Sequence, residues 1–146
     1  MRKTIIMSIL IIIVAISLIS ARVEDVEAEK AAIRDVVAEG YIEPIFRSGD
    51  IEAIKKGFHS EFNMLILREN NLVKYTLEEW IKSIKKREYP TGDVVLLDYL
   101  IIDITGNAAV VKVKIDISKR IYSDYLSLYK FKDGWKIVSK IYFQHN

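Results

Sequence analysis

The chain contains no cysteine. This excludes disulfides, a thiol nucleophile and zinc sites built on thiolates. It also excludes a lipid-anchored bacterial lipoprotein, which needs a cysteine at its cleavage point. Histidine is almost as scarce. His59 and His145 are too far apart to set a ligand spacing, so a metal site would have to lean on carboxylates. Charge of one sign is missing as well: 22 Lys and Arg stand against 20 Asp and Glu. Arg2 and Lys3 precede an apolar leader, and without them the chain is close to neutral. Nucleic-acid binding draws on clustered Lys and Arg, so nucleic acid is not an expected partner. The short run Lys82, Lys85, Lys86 and Arg87 reads as a solvated helix face. There is no internal repeat, no low-complexity tract and no self-sufficient catalytic motif, and nothing calls for a cofactor.

What is present suits one small domain behind a leader. The length is 146 residues and 51% of them are hydrophobic, enough for a real core. Residues 1–21 read as a targeting segment: Arg2 and Lys3 give a basic start, Ile5 to Leu18 is nearly all apolar, and Ser20-Ala21 supplies small residues for a cut. The rival reading is an uncleaved anchor over residues 4–21, which is just long enough for a bilayer. Both put residues 22–146 outside the cytoplasm, periplasmic or secreted, with membrane contact only through an uncleaved leader.

Val23 to Arg47 carries apolar residues at helical spacing, with Pro44 set to kink its last turns. Asp50 caps a short second helix. Phe62–Leu67 and Leu72–Tyr75 read as strands around Asn70-Asn71. Thr76 and Glu79 form a capping box for a helix that buries Leu77, Trp80, Ile81 and Ile84. Four strands follow, Val94–Thr105, Ala108–Ile117, Tyr122–Lys132 and Trp135–Gln144, with hairpin turns at Gly106-Asn107 and Asp133-Gly134. The layout is α+β, with three helices covering one face of a curved antiparallel sheet.

Several stretches carry a family likeness: Ile33-Arg34 with Tyr41-Ile42, Ser48-Gly49-Asp50, Phe58-His59, Leu77 to Trp80, Asp124-Tyr125-Leu126-Ser127-Leu128 and Gly134-Trp135-Lys136-Ile137-Val138. In this order they resemble the putative lumazine-binding family of the nuclear transport factor 2-like superfamily, over residues 27–143. The resemblance implies a cone-shaped, cystatin-like domain with a pocket between the concave sheet face and the helices. It also implies dimerisation through the convex face. Relatives of this kind include isomerases, dehydratases and cyclases as well as plain binding modules. Pro44 departs from the pattern, which more often has Gly before an aromatic.

Strand alternation then assigns the faces. Pairing across Gly106-Asn107 sets Asp98 opposite Ile115, on the apolar face with Leu96, Leu100, Ile102 and Ile104. Pairing across Asp133-Gly134 puts Asp124, Leu126, Leu128, Trp135, Ile137, Ser139, Ile141 and Phe143 on the concave face. Tyr125, Tyr129, Phe131, Lys140 and Tyr142 fall on the other side, and its aromatics make it the expected homodimer face.

The candidate catalytic residues are Asp124, Asp98 and His59. A carboxylate on an apolar face has the environment of a general base, and His59 at the pocket mouth would shuttle protons. Trp80 would stack on a planar ligand; Tyr41 and Ser139 would donate hydrogen bonds; Ile141 and Phe143 would line the wall. Each has a plainer reading: strand-end aspartates reaching solvent, a loop histidine bonding backbone, and packed aromatics with satisfied hydroxyls. Three functions stay open. They are an exported module binding a small planar or apolar ligand, an acid–base enzyme using the pocket carboxylates, and a dimeric interaction module without ligand.

Overall fold

The computed structural model describes residues 25–89, 95–118 and 120–145. The leader, residues 1–21, lies outside them. The chain divides into two compact units, Met1–Ala32 and Ile33–Asn146. In the first, residues 25–32 are helical and Lys30 pairs with Glu27 at 2.7 Å. Everything below concerns the second. No helix among the described residues is long and apolar enough to cross a membrane.

The second unit opens with helical residues 33–37, here α1. Two π-helical turns follow, Ala38–Ile42 and Pro44–Ser48. Pro44 lacks the N–H that would continue an α ladder. Instead of a simple kink, the chain widens: Glu43 N–H donates to Ala38 O, and Gly49 N–H donates to Pro44 O at 2.9 Å. Single π turns recur at functional sites. Here the first one carries Tyr41, whose ring is fully buried.

Helix α2 spans Ile51–Gly57, capped by Asp50 Oδ1 accepting from Glu52 N at 2.9 Å and Ala53 N at 3.1 Å. Its last residue meets the first π turn backbone to backbone. A Cβ on Gly40 would lie 2.7 Å from Gly57 Cα, so both positions require glycine. Helix α3, Leu77–Ile84, has the expected capping box: Glu79 Oε2 accepts from Thr76 N at 2.8 Å and Thr76 Oγ1 from Glu79 N at 3.3 Å. It buries Leu77, Trp80, Ile81 and Ile84.

The strands are β1 Phe58–Arg68, β2 Asn71–Thr76, β3 Val95–Thr105, β4 Ala108–Ile117, β5 Arg120–Phe131 and β6 Gly134–His145. They form one curved six-stranded sheet in the order β2-β1-β6-β5-β4-β3. The last four make the expected meander, and β1 joins it by pairing parallel to β6. The fold is α+β with three helices, as the sequence implies.

Two bulges decide which way the sheet's side chains point. In β3, Tyr99 pairs with Val113 but Ile101 with Lys112, so Leu100 is extra. The expected pair Ile102–Val111 holds near the turn, yet Asp98 pairs with Lys114, not Ile115. Leu96, Asp98 and Leu100 are therefore exposed, while Leu97 and Tyr99 face the core cluster with Ile102 and Ile104. In β6, Leu128 pairs with Ile137 but Ser127 with Ser139. Trp135 and Ile137 point inward as expected; beyond the bulge the alternation inverts. Ser139, Ile141 and Phe143 turn outward, and Lys140 and Tyr142 turn in, so Tyr142 leaves the expected dimer face. Tyr125, Tyr129 and Phe131 remain exposed on the outer side.

Candidate functional site

Strand β5 alternates without interruption, so Asp124, Leu126 and Leu128 are all buried on the concave face. The bulge in β6 then sets Tyr142 opposite Asp124 and Lys140 opposite Leu126. Asp124 and Lys140 become diagonal neighbours on one face. They are the two buried charged residues among the described core, 1% and 6% exposed. An isolated buried charge is far too costly to keep, and these two hold each other: Lys140 Nζ lies 2.6 Å from Asp124 Oδ2. From the π turn, Tyr41 completes the cluster. Its hydroxyl donates to Asp124 Oδ2 and accepts from Lys140 Nζ.

Burial sets the proton affinities. It pushes Tyr41 well above the ordinary tyrosine value, and the Asp124 carboxylate adds to that, so the phenol stays neutral. Burial pulls Lys140 down from the ordinary lysine value, opposed by Asp124. Tyr142 is also raised, chiefly by burial. Asp124 Oδ1 is buried and has no hydrogen-bond partner, an exception that asks for a reason.

The cluster lines a cavity of about 160 Å³ between the sheet and the helical elements. Tyr41, Phe46, Trp80, Tyr122 and Tyr142 give it aromatic walls; Ile45, Met64 and Ile115 fill the gaps between them. Arg87 also lines it, with Nη1 donating to Ile45 O at 3.3 Å. Lys140 Nζ sits 4.6 Å from the centre of the Tyr41 ring, 5.4 Å from that of Trp80 and 5.1 Å from that of Tyr142.

Of the residues singled out in the sequence, the structure brings together Asp124, Tyr41 and Trp80. It does not bring Asp98, which is exposed on the outer face because of the β3 bulge. Nor does it bring His59, whose ring stacks on Phe131 at 4.7 Å and whose Nδ1 accepts from Glu61 N at 3.1 Å. Ser139, Ile141 and Phe143 face away for the reason given above; Ile141 and Phe143 are 50% and 60% exposed. Lys140, Tyr142, Tyr122 and Arg87 are the polar lining residues that sequence reasoning missed. For Lys140 and Tyr142 the missed signal is the β6 bulge; Tyr122 shares the parity of Asp124 on β5 and was legible from it. Arg87 belongs to a charge run that is exposed as a whole, and its guanidinium alone reaches back to Ile45 O. Among the described residues no group of carboxylates and histidines is arranged to hold a metal ion.

Residues 28–143 match the family model described as putative lumazine-binding. The chain belongs to this family. Its fold is that of nuclear transport factor 2-like proteins. One such protein, of unknown function, from Shewanella baltica OS155 is 26% identical, with 82% of this chain and 95% of that chain covered and a TM-score of 0.71. A second, also of unknown function, from Silicibacter pomeroyi DSS-3 is 19% identical over 84% of this chain and 98% of its own, at a TM-score of 0.68. The S. rosetta CaMKII hub is 19% identical over 79% and 95%, at 0.62. No curated protein matches the chain.

Proposed function

We propose that this family member is an exported small-molecule-binding domain whose cavity takes a small planar ligand against Asp124, Tyr41 and Lys140. The observation that carries the reading is a buried ion pair on the wall of an aromatic cavity, with one carboxylate oxygen left without a partner. A buried ion pair contributes little to stability compared with apolar packing. One that lines a cavity has the character of a recognition site. The family description names lumazine, a planar heterocycle, and the aromatic walls are in keeping with a flat ligand. Arg2 and Lys3 before the apolar run, the pattern of a targeting segment, support the reading of export. An acid–base enzyme built on Asp124, Asp98 and His59 is less well supported, since only Asp124 of the three lines the cavity.

Native mass spectrometry of the protein from its host's extracytoplasmic fraction tests both halves. A reproducible small-molecule adduct on a chain lacking residues 1–21 is the expected result. A ligand-free protein, unmoved in melting temperature by any ring-sized compound, would overturn the binding reading. Its absence from that fraction would overturn export.

A second reading concerns assembly. The convex face exposes Leu96, Leu100, Val110, Tyr129, Ile141 and Phe143, apolar side chains of the kind that mark an interaction surface when they cluster. A second copy of the chain on this face would cover it, with Tyr125 and Phe131 and without Tyr142. The partner then leaves the cavity face free. Light scattering that finds only monomer at high concentration would remove this reading.

A further inference from the structure

Helices α2 and α3 both pack on β1 and leave a groove of about 540 Å³ between them. Four-residue spacing builds it, because such neighbours stack on one helix face. Ile51 and Lys55 come from α2; Leu77, Ile81 and Lys85 come in one row from α3 and its cap. The floor is apolar: Phe58, Leu77 and Ile81 are buried, and Ile51 packs against the same core. The lip is basic, with Lys55, Lys82 and Lys85 all exposed. Glu78 is the carboxylate of the lining, and Lys82 Nζ holds it at 2.9 Å; Lys55 Nζ lies 2.7 Å from Glu52. Among the described residues no carboxylate pairs with Lys85.

We propose that this groove binds a single-chain fatty acid, its tail along the apolar floor and its carboxylate among Lys55, Lys82 and Lys85. The volume lies within the roughly 300–1,000 Å³ of small-molecule sites. An apolar trough with cations at its lip complements a molecule that is apolar along its length and anionic at one end. Lysine stems are apolar and carry a mobile charged head, so the heads can gather on one carboxylate without uncovering the floor. A flat bilayer would span a concave groove without filling it, and one trough takes one chain. The groove shares no lining residue with the cavity beside Asp124, so its occupancy does not depend on the cavity's ligand. Phe58 joins the two walls: it is floor to the groove, and its ring packs edge to face with Trp80 of the cavity, 5.5 Å between centres.

The test compares decanoate with decyltrimethylammonium, a tail of similar length under the opposite charge, by calorimetric titration of the full chain. Decanoate is expected to bind about tenfold tighter, because exposed charge contacts are weak singly but three lysines act together. Each buried CH₂ tightens binding by up to about fourfold, so octanoate is expected to bind more weakly than decanoate. Changing Lys55→Glu and Lys85→Glu together leaves the floor intact and is expected to abolish the preference for the carboxylate. A decanoate with a photoreactive diazirine in its tail reports the place: cross-links are expected in peptides covering residues 51–60 and 77–85. Equal affinity for the two head groups, or a preference that survives the double change, would overturn the proposal. So would cross-links confined to other residues, 1–21 included, or no binding of decanoate at all.

Discussion

The same pair of residue types meets on both faces of the sheet, under opposite conditions. Inside, Lys140 lies over Tyr41 and the half-buried Tyr142 with Asp124 alongside, and Lys140, Tyr41 and Asp124 are shielded from water. Outside, Lys112 lies 5.1 Å from the centre of the Tyr125 ring, its cross-strand partner, with Tyr125 39% exposed. The geometries are alike; the surroundings are not. Water screens the outer contact to a fraction of a kcal/mol. The inner one is held by mutual necessity, because each group would be stranded without the other.

The sharpest way to break the contrast is to strand one inner group. Asp124→Ala leaves Lys140 buried without its counter-ion and is expected to cost about 3–5 kcal/mol in urea unfolding. The double change Asp124→Leu with Lys140→Met removes both charges and is expected to cost less than Asp124→Ala alone; a larger loss would mean the pair does stabilise the fold. Next in size is Gly40→Ala. Its Cβ would press on the Gly57 backbone and disturb the turn that carries Tyr41, at about 1–3 kcal/mol, read by the same unfolding curve.

Alkaline pH separates the inner groups from one another. Tyr41 has its folded value raised above the ordinary 10.0, so above that pH the unfolded chain loses its proton first and stability falls. Tyr99, half-buried and donating to Arg34 O, is pushed up to about 12 and acts in the same direction between those values. Lys140 is shifted below its ordinary 10.5. The folded state releases that proton first, and stability gains as pH rises from the folded value to 10.5. Tyr41→Phe is therefore expected to soften the alkaline fall in unfolding midpoint measured from pH 9 to 12. An unchanged profile would show that Tyr41 is not in the buried cluster. The smallest effect belongs outside: Lys112→Ala is expected to change stability by less than about 1 kcal/mol, with salt reducing even that.

Much of this was open to reading in the residues. Thr76 and Glu79 announce α3, Gly106-Asn107 sets its hairpin, and the strict alternation of β5 turns Asp124 inward. The second half of β6 offers no such guide. Ile141 and Phe143 are as apolar as Val138 and Tyr142, so either parity looks plausible, and a bulge leaves no mark in composition. Extrapolating from Trp135 was sound for Ile137 and wrong from Ser139 onward. The β3 bulge misplaced Asp98 in the same way. Pro44 announces a disturbance in the first helical segment, but whether the chain kinks or widens depends on the partners that the backbone finds.

The β6 bulge also has a consequence for how such a site changes over generations. Point substitutions alter one wall position at a time. Deleting a single residue at Val138 or Ser139 would instead act like a frame shift. Lys140 and Tyr142 would swing out to water, and Ile141 and Phe143 would close over the space they left. The cavity would become a sealed apolar core in one step, and the reverse insertion could open one in a relative that has none.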